Sequence, residues 1–153
     1  MNVVDLYKHT AEFMDKEVTL SGWIRNHRKQ KSFGFIDFQD GTCFKHVQVV
    51  YSQELTENFD EASKLKNGSA IEVKGKVVQS EAKGQTFEVK AEKVTLLGDA
   101  TDEFPIQPKR HTREFLREQA YLRPRTNLFQ AVFRIRSVAA MAIHTYLQDN
   151  GFV

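Results

Sequence analysis

Residues Lys31–Phe38 read KSFGFIDF, and the phase of this run decides the fold. Gly34, Ile36 and Phe38 fall on one parity, and Phe33, Phe35 and Asp37 on the other. A period of two is the mark of a β-strand with one face buried. Ile36 and Phe38 belong to a core; Phe35, beside Asp37, points to solvent. The same alternation recurs upstream in EVTLSGWIRN (17–26), where Val18, Leu20, Gly22 and Ile24 alternate with Thr19, Ser21, Trp23 and Arg25. Downstream, KHVQVVY (45–51) sets Val47, Val49 and Tyr51 against His46, Gln48 and Val50.

SAIEVKGKVVQS (69–80) and GQTFEVKAEKVTLL (84–97) complete five strands, with turn signals at Asp40-Gly41, Asn67-Gly68 and Lys83-Gly84. Between the third and fourth strands, ELTENFDEASKLKNG (54–68) has helical spacing at Leu55, Phe59, Ala62 and Leu65. A short amphipathic segment over 3–14 precedes the first strand. Five strands with a helix between the third and fourth predict a mainly β fold, a five-stranded OB-fold barrel over residues 1–98.

Beyond Leu97 the alternation stops. Residues 99–127 contain Pro105 and Pro108 and read as a linker, with a brief helix over 113–122 that breaks before Pro124. A long helix is expected from Leu128 to Gln148, stopped by glycine in DNGF, within a final unit 128–153. Its apolar residues cover more than one stripe, so it needs neighbours on several sides. That demand, and the apolar GFV at the end, predict the front part of something larger or pairing with a second chain.

Composition sets bounds rather than an answer. The 153 residues are 41% hydrophobic and 27% charged, with a formal net charge of only +2. The distribution says more. Arg25, Arg28, Lys29 and Lys31 lie together with no carboxylate among them. Lys109, Arg110, Arg113, Arg117, Arg123, Arg125, Arg134 and Arg136 face only Glu114 and Glu118 across 104–136. Basic runs beside aromatics suit a polyanion. The single cysteine, Cys43, excludes an internal disulfide framework and fits a reducing, cytoplasmic setting. No stretch approaches the ~20 apolar residues that span a bilayer, and MNVVDLYKHT is not a signal peptide.

Strand phase turns Arg25, Phe35, Gln48 and Glu88 to the outer side of the barrel, and Arg28 falls in the loop after the first strand. An exposed phenylalanine is a stacking platform for a base, Gln48 can donate and accept at a base edge, Glu88 can accept, and arginine can pair a phosphate. Such a set suits single-stranded bases displayed in a loop. Phe33 is the exception, better placed under a covering segment. KSFGFIDF is also similar to the RNA-binding octapeptide of RRM and cold-shock domains, with Ser32 where those carry glycine. The strand order disfavours an RRM. A cold-shock-like single-strand-binding module is the alternative, and a dimerising interaction domain a third reading. No phosphate-cradling glycine loop is present, and His9, His27, His46, His111 and His144 lack metal-ligand spacing.

As a whole, the chain resembles the N-terminal third of the asparaginyl-tRNA synthetase family, in the class II subgroup that includes aspartyl and lysyl enzymes. VTLSGWIRNHRKQKSFGFIDFQDGT is similar to the anticodon-binding barrel of that subgroup, and KRH, EFLRE and LRPRTN to its asparaginyl branch. The resemblance implies that Phe35 stacks on the central uridine of the anticodon, that Gln48 reads its edge, and that Glu88, Arg25 and Arg28 contact the same region. It implies that the helix ending DNGFV is the first class II motif, the start of a catalytic domain, with a homodimer interface through Phe129, Phe133, Arg136, Ala140 and His144. The partner is then an asparagine tRNA. No cofactor is expected in this chain; the full-length family uses ATP and Mg, and its ATP and amino-acid binding motifs are not among these residues. The expected role is the anticodon-recognition part of an asparagine–tRNA ligase.

Overall fold

The computed structural model describes residues 1–152 except Glu81 and Lys83. It divides into two compact units, Met1–Lys109 and Arg110–Val153. The first unit opens with short helices α1 (Val3–Lys8) and α2 (Thr10–Phe13). Strands β1 (Glu17–Lys29), β2 (Phe33–Gln39), β3 (Val47–Ser52), β4 (Ala70–Gln79) and β5 (Phe87–Gly98) close into a barrel of order β1-β2-β3-β5-β4. β4 pairs antiparallel with β1, which completes the ring, and β3–β5 is the parallel pair. This is the OB-fold expected from the strand count and phase.

The alternation built the core as it should. Val18, Leu20, Ile24, Ile36, Phe38, Val47, Val49, Tyr51, Phe87, Val89 and Ala91 all point inward and are buried. α1 contributes Val3 and Leu6 to the same core. It is held by the β2–β3 loop, where Val3 N donates to Asp40 Oδ2 at 2.7 Å and Val4 N to Thr42 Oγ1 at 3.1 Å. Gly34 faces inward because the Tyr51 ring lies directly over it, leaving no room for a Cβ.

Three local expectations change. β1 continues three residues beyond Asn26, so Arg28 lies on the strand, opposite Phe35, rather than in a loop. The register shifts between Ile24 and Asn26: Ile24 pairs with Phe38 and Asn26 already with Asp37. Arg25 is therefore the extra residue of a β-bulge, and the bulge reverses the in–out phase of the rest of β1. The helix expected over 54–68 shrinks to α3 (Phe59–Ala62), and Leu55 is exposed. Polar side chains in that segment bond to neighbouring strands instead of leaving the backbone to coil. Thr56 Oγ1 donates to Ala91 O at 2.7 Å, while the Asn58 amide exchanges hydrogen bonds with both Val94 N and Val94 O. The brief helix over 113–122 ends at Glu118 as α4 (Arg113–Glu118), and Arg123–Arg125 forms a separate 3-10 turn that includes Pro124. At the Lys83-Gly84 turn, Lys83 lies outside the described residues, while Gly84 takes the expected left-handed φ of 92°.

In the second unit, α5 (Asn127–Asp149) is capped by Thr126, whose Oγ1 accepts from Phe129 N at 3.5 Å. Gly151, at φ 79°, ends it as DNGF predicted; Val153 lies outside the described residues. None of α5 is buried: Ile135 is 70% and Val138 71% exposed. No helix is long and apolar enough to cross a membrane among the described residues.

The bulge turns His27 inward, a placement period-two reading does not give. Its Nδ1 lies 2.9 Å from Leu65 O and its Nε2 2.7 Å from Tyr51 Oη. A carbonyl only accepts, so Nδ1 carries the proton and Nε2 accepts from the tyrosine hydroxyl. Burial pushes the His27 pKa below the usual histidine value, against a smaller upward pull from the Leu65 carbonyl. The folded ring thus resists a proton that the unfolded chain takes up near pH ~6.5. Stability from this site is complete above that pH and is lost as pH falls through it toward the lower folded-state value. Thermal melts between about pH 7.5 and 5.5 should show a falling midpoint that His27→Gln flattens; an unchanged slope would exclude His27 as the cause.

Candidate nucleic-acid interface

The outer face of β1, β2, β3 and β5 carries the constellation. β1–β2 register sets Arg28 opposite Phe35, β2–β3 register sets Asp37 opposite Gln48, and the Val49–Val89 pairing brings Gln48 beside Glu88. Side-chain contacts join these residues. Arg28 Nη2 donates to Gln48 Oε1 at 3.2 Å, and Gln48 Nε2 donates to Glu88 Oε2 at 3.2 Å. Ser80 Oγ, also 3.2 Å from that oxygen, donates to the same carboxylate. A cation and an anion are thereby linked through one neutral amide. This fixes the amide orientation, because oxygen must face the arginine and nitrogen the carboxylate. These two contacts take up one lone pair and one amide proton of Gln48.

Phe35 sits at the centre of this face. Its ring meets Phe33 edge-on, at 5.5 Å and 87°, and the Arg28 guanidinium lies over it at 5.2 Å from the centroid. Phe33 is half-buried, like Phe35, so it supports the platform's edge rather than lying in the core. Arg25 lies on the same face, bonded through Nη1 to His46 Nε2 at 2.9 Å. All five residues picked from the sequence thus share one side of the barrel. Arg28, Phe35, Gln48 and Glu88 form a connected group, and Arg25 stands one step along it.

Sequence reasoning gave no role to His46, Asp37, Ser80 or Tyr7. His46 was legible as outward-facing from strand phase; its contact with Asp37, Nδ1 to Oδ1 at 3.3 Å, was not. Tyr7 Oη donates to His46 O at 2.6 Å, its ring packs on Phe87 at 4.9 Å, and Lys45 Nζ lies 4.5 Å over it. On α5, Phe129 and Phe133 lie 6.1 Å apart with the Arg123 guanidinium over both rings, and Arg136 reaches Phe133 at 6.0 Å. Ala140 and His144 continue that stripe in the exposed part of the helix. Among the described residues, no group of three or more His, Cys, Asp or Glu could hold a metal ion.

Residues 18–97 match the tRNA anti-codon family of OB-fold nucleic acid binding domains. The chain belongs to that family. Beyond the barrel, the chain is similar to the asparagine–tRNA ligase of Acholeplasma laidlawii, at 54% identity over 153 residues, covering 100% of this chain and 33% of the relative. The corresponding ligase of Clostridium novyi is 53% identical over 151 residues, covering 99% of this chain and 32% of the relative. The asparaginyl-tRNA synthetase from Pyrococcus horikoshii aligns with a TM-score of 0.76 and 26% identity, covering 92% of this chain and 34% of that one. A putative aspartyl-tRNA synthetase from Leishmania major shares the fold, with a TM-score of 0.82 at 18% identity, covering 97% of this chain and 32% of that one. The chain spans about a third of the length of the curated relatives it matches.

For an OB-fold nucleic acid binding domain, the preset arginine–phenylalanine pair is a structural feature of the free protein. A double-mutant cycle with Arg28→Ala and Phe35→Leu, followed by urea denaturation, should give a coupling energy of about 0.5–1 kcal/mol. Strict additivity would mean that the pair is not populated in solution.

Proposed function

We propose that this domain reads the anticodon loop of an asparagine tRNA, as one part of an ATP-dependent asparagine–tRNA ligase that works in the cytoplasm. The observation that carries the reading is the connected outer group Arg28–Phe35–Gln48–Glu88 in a chain so similar to asparagine–tRNA ligases. The central base stacks on Phe35, a contact worth about 1–3 kcal/mol. Arg28 swings from the ring toward a phosphate as the base arrives. That movement frees the second lone pair of Gln48 Oε1, so the amide offers an acceptor and a donor side by side, the complement of the N3–H and O4 edge of uridine. Glu88 keeps the amide from flipping, and a flip would reverse this pattern. Arg25 holds the backbone of the neighbouring nucleotide.

ATP and Mg serve acyl transfer in the rest of such a ligase. The residues here do not fit them, and their contribution is to select and orient the tRNA. The exposed stripe of α5 through Phe129, Phe133, Arg136, Ala140 and His144 supports pairing with a second copy. Arg123, stacked over Phe129 and Phe133, stiffens the start of that stripe.

Phe35→Ala should weaken binding to an anticodon stem-loop with a central uridine by about 5- to 150-fold, read by fluorescence anisotropy. Equal affinity of the wild type for a loop with central guanine, or for an unstructured oligonucleotide of the same bases, would refute anticodon reading and favour a cold-shock-like module. For the pairing, sedimentation over a range of protein concentration should show a dimer that Ala140→Arg converts to monomer with unchanged helix content. A wild-type chain that stays monomeric throughout would end that part of the proposal.

A further inference from the structure

Arg25 occupies the bulge of β1, the least regular position on the reading face. A long cation at a bulge has many rotamers, and its usefulness depends on what restricts them. One such restraint is His46, which stands at the entry to β3 and reaches Arg25 Nη1 through Nε2 at 2.9 Å. A guanidinium can only donate, so Nε2 is the acceptor and carries no proton. The ring then places its proton on Nδ1, which faces Asp37 Oδ1 at 3.3 Å. A carboxylate at that distance favours the tautomer that can receive the arginine, as carboxylates orient histidines elsewhere. The main chain of His46 is fixed separately. Tyr7 Oη donates to its carbonyl at 2.6 Å, and the Tyr7 ring leans on Phe87 in the core.

We propose that His46 is a positioning residue of the reading face: as a neutral Nδ1–H imidazole held by Asp37 and Tyr7, it sets the direction of Arg25 toward the nucleic acid. This rests on the anticodon reading for its RNA consequence, and on local geometry alone for the relay. His46 itself touches no base. It lets α1 and the β2–β3 loop, which contribute no contact residue of their own, decide where a strand β1 cation points. Removal of the ring nitrogens should therefore act on RNA only through Arg25.

The test has an RNA arm and an RNA-free arm. Against the central-uridine stem-loop, Arg25→Ala should lower affinity about tenfold, the worth of one hydrogen bond to a charged group. His46→Phe, which keeps the ring and loses both nitrogens, should give the same loss, and the double variant no more than either alone. His46→Gln, able to accept from Arg25 and donate to Asp37 through one amide, should recover most of the affinity. Additive losses, or wild-type binding by His46→Phe, overturn the proposal. In the free protein, imidazole ¹⁵N shifts at neutral pH should show His46 protonated at Nδ1 and bare at Nε2, with the Nε2 signal moving in Arg25→Ala. A doubly protonated ring, or a proton on Nε2, overturns the relay even if the Phe variant fails to fold. Failure of the anticodon reading looks different: Phe35→Ala would then leave stem-loop affinity unchanged while the nitrogen signature stays, which removes the RNA role of the relay but not its geometry.

Discussion

The β-bulge at Arg25 is the constraint on which the rest of the outer face depends. One extra residue in β1 places Arg25 and Asn26 against the single residue Asp37, and from there onward the strand is one step out of phase with its start. Without it, His27 would face solvent and Arg28 would compete for the core. With it, His27 turns inward to Tyr51 and Leu65, and Arg28 comes out beside Phe35. The inward histidine is not an incidental consequence. Its two hydrogen bonds tie β1 to β3 and to the segment after α3, so the bulge is locked by the core side of the same strand. A device that aims side chains outward is thereby secured from within.

On the outer face, opposite charges are joined through intervening polar side chains. Arg28 and Glu88 are joined through the Gln48 amide, and Arg25 and Asp37 through the His46 imidazole. In both cases a polar group able to donate on one side and accept on the other sits between a cation and an anion. Each bridging group is oriented by its charged neighbours, and a guanidinium has more donors than one such bond takes up. A direct bidentate arginine–carboxylate bridge would satisfy both charges and leave less for an incoming phosphate or base edge. The arrangement is preorganised yet still able to exchange partners.

Much of the fold was legible because a barrel of this kind is written in period two. Val18 to Ile24, Phe33 to Phe38, Val47 to Tyr51 and Phe87 to Ala91 kept the faces that alternation assigned, since one face is buried and a slip would turn every apolar side chain to water. The candidate site followed from the same phase: Phe35, Gln48 and Glu88 are outward because their neighbours are inward. Where the signal was local and polar, reading was poorer. The helix over 54–68 was overestimated because the Thr56 and Asn58 side chains bond to strand carbonyls and amides distant in sequence. Arg28 lies on a strand rather than in a loop because β1 runs three residues past Asn26, and the bulge that turns its side chain outward leaves no mark in composition.

The sequence by itself determined the number of strands, which parity faces the core, the long capped helix, and the residue types that a base-reading surface needs. These are properties of spacing and of side-chain hydrophobicity, both local. Only the tertiary structure decided that Arg28 and Phe35 are opposite one another, that Gln48 joins an arginine to a glutamate, and that His46, fixed from α1 and β2, holds Arg25. Those facts depend on register between strands and on a one-residue irregularity in it. Register is settled by the packing of the whole barrel at once, so no single stretch of the chain could carry it.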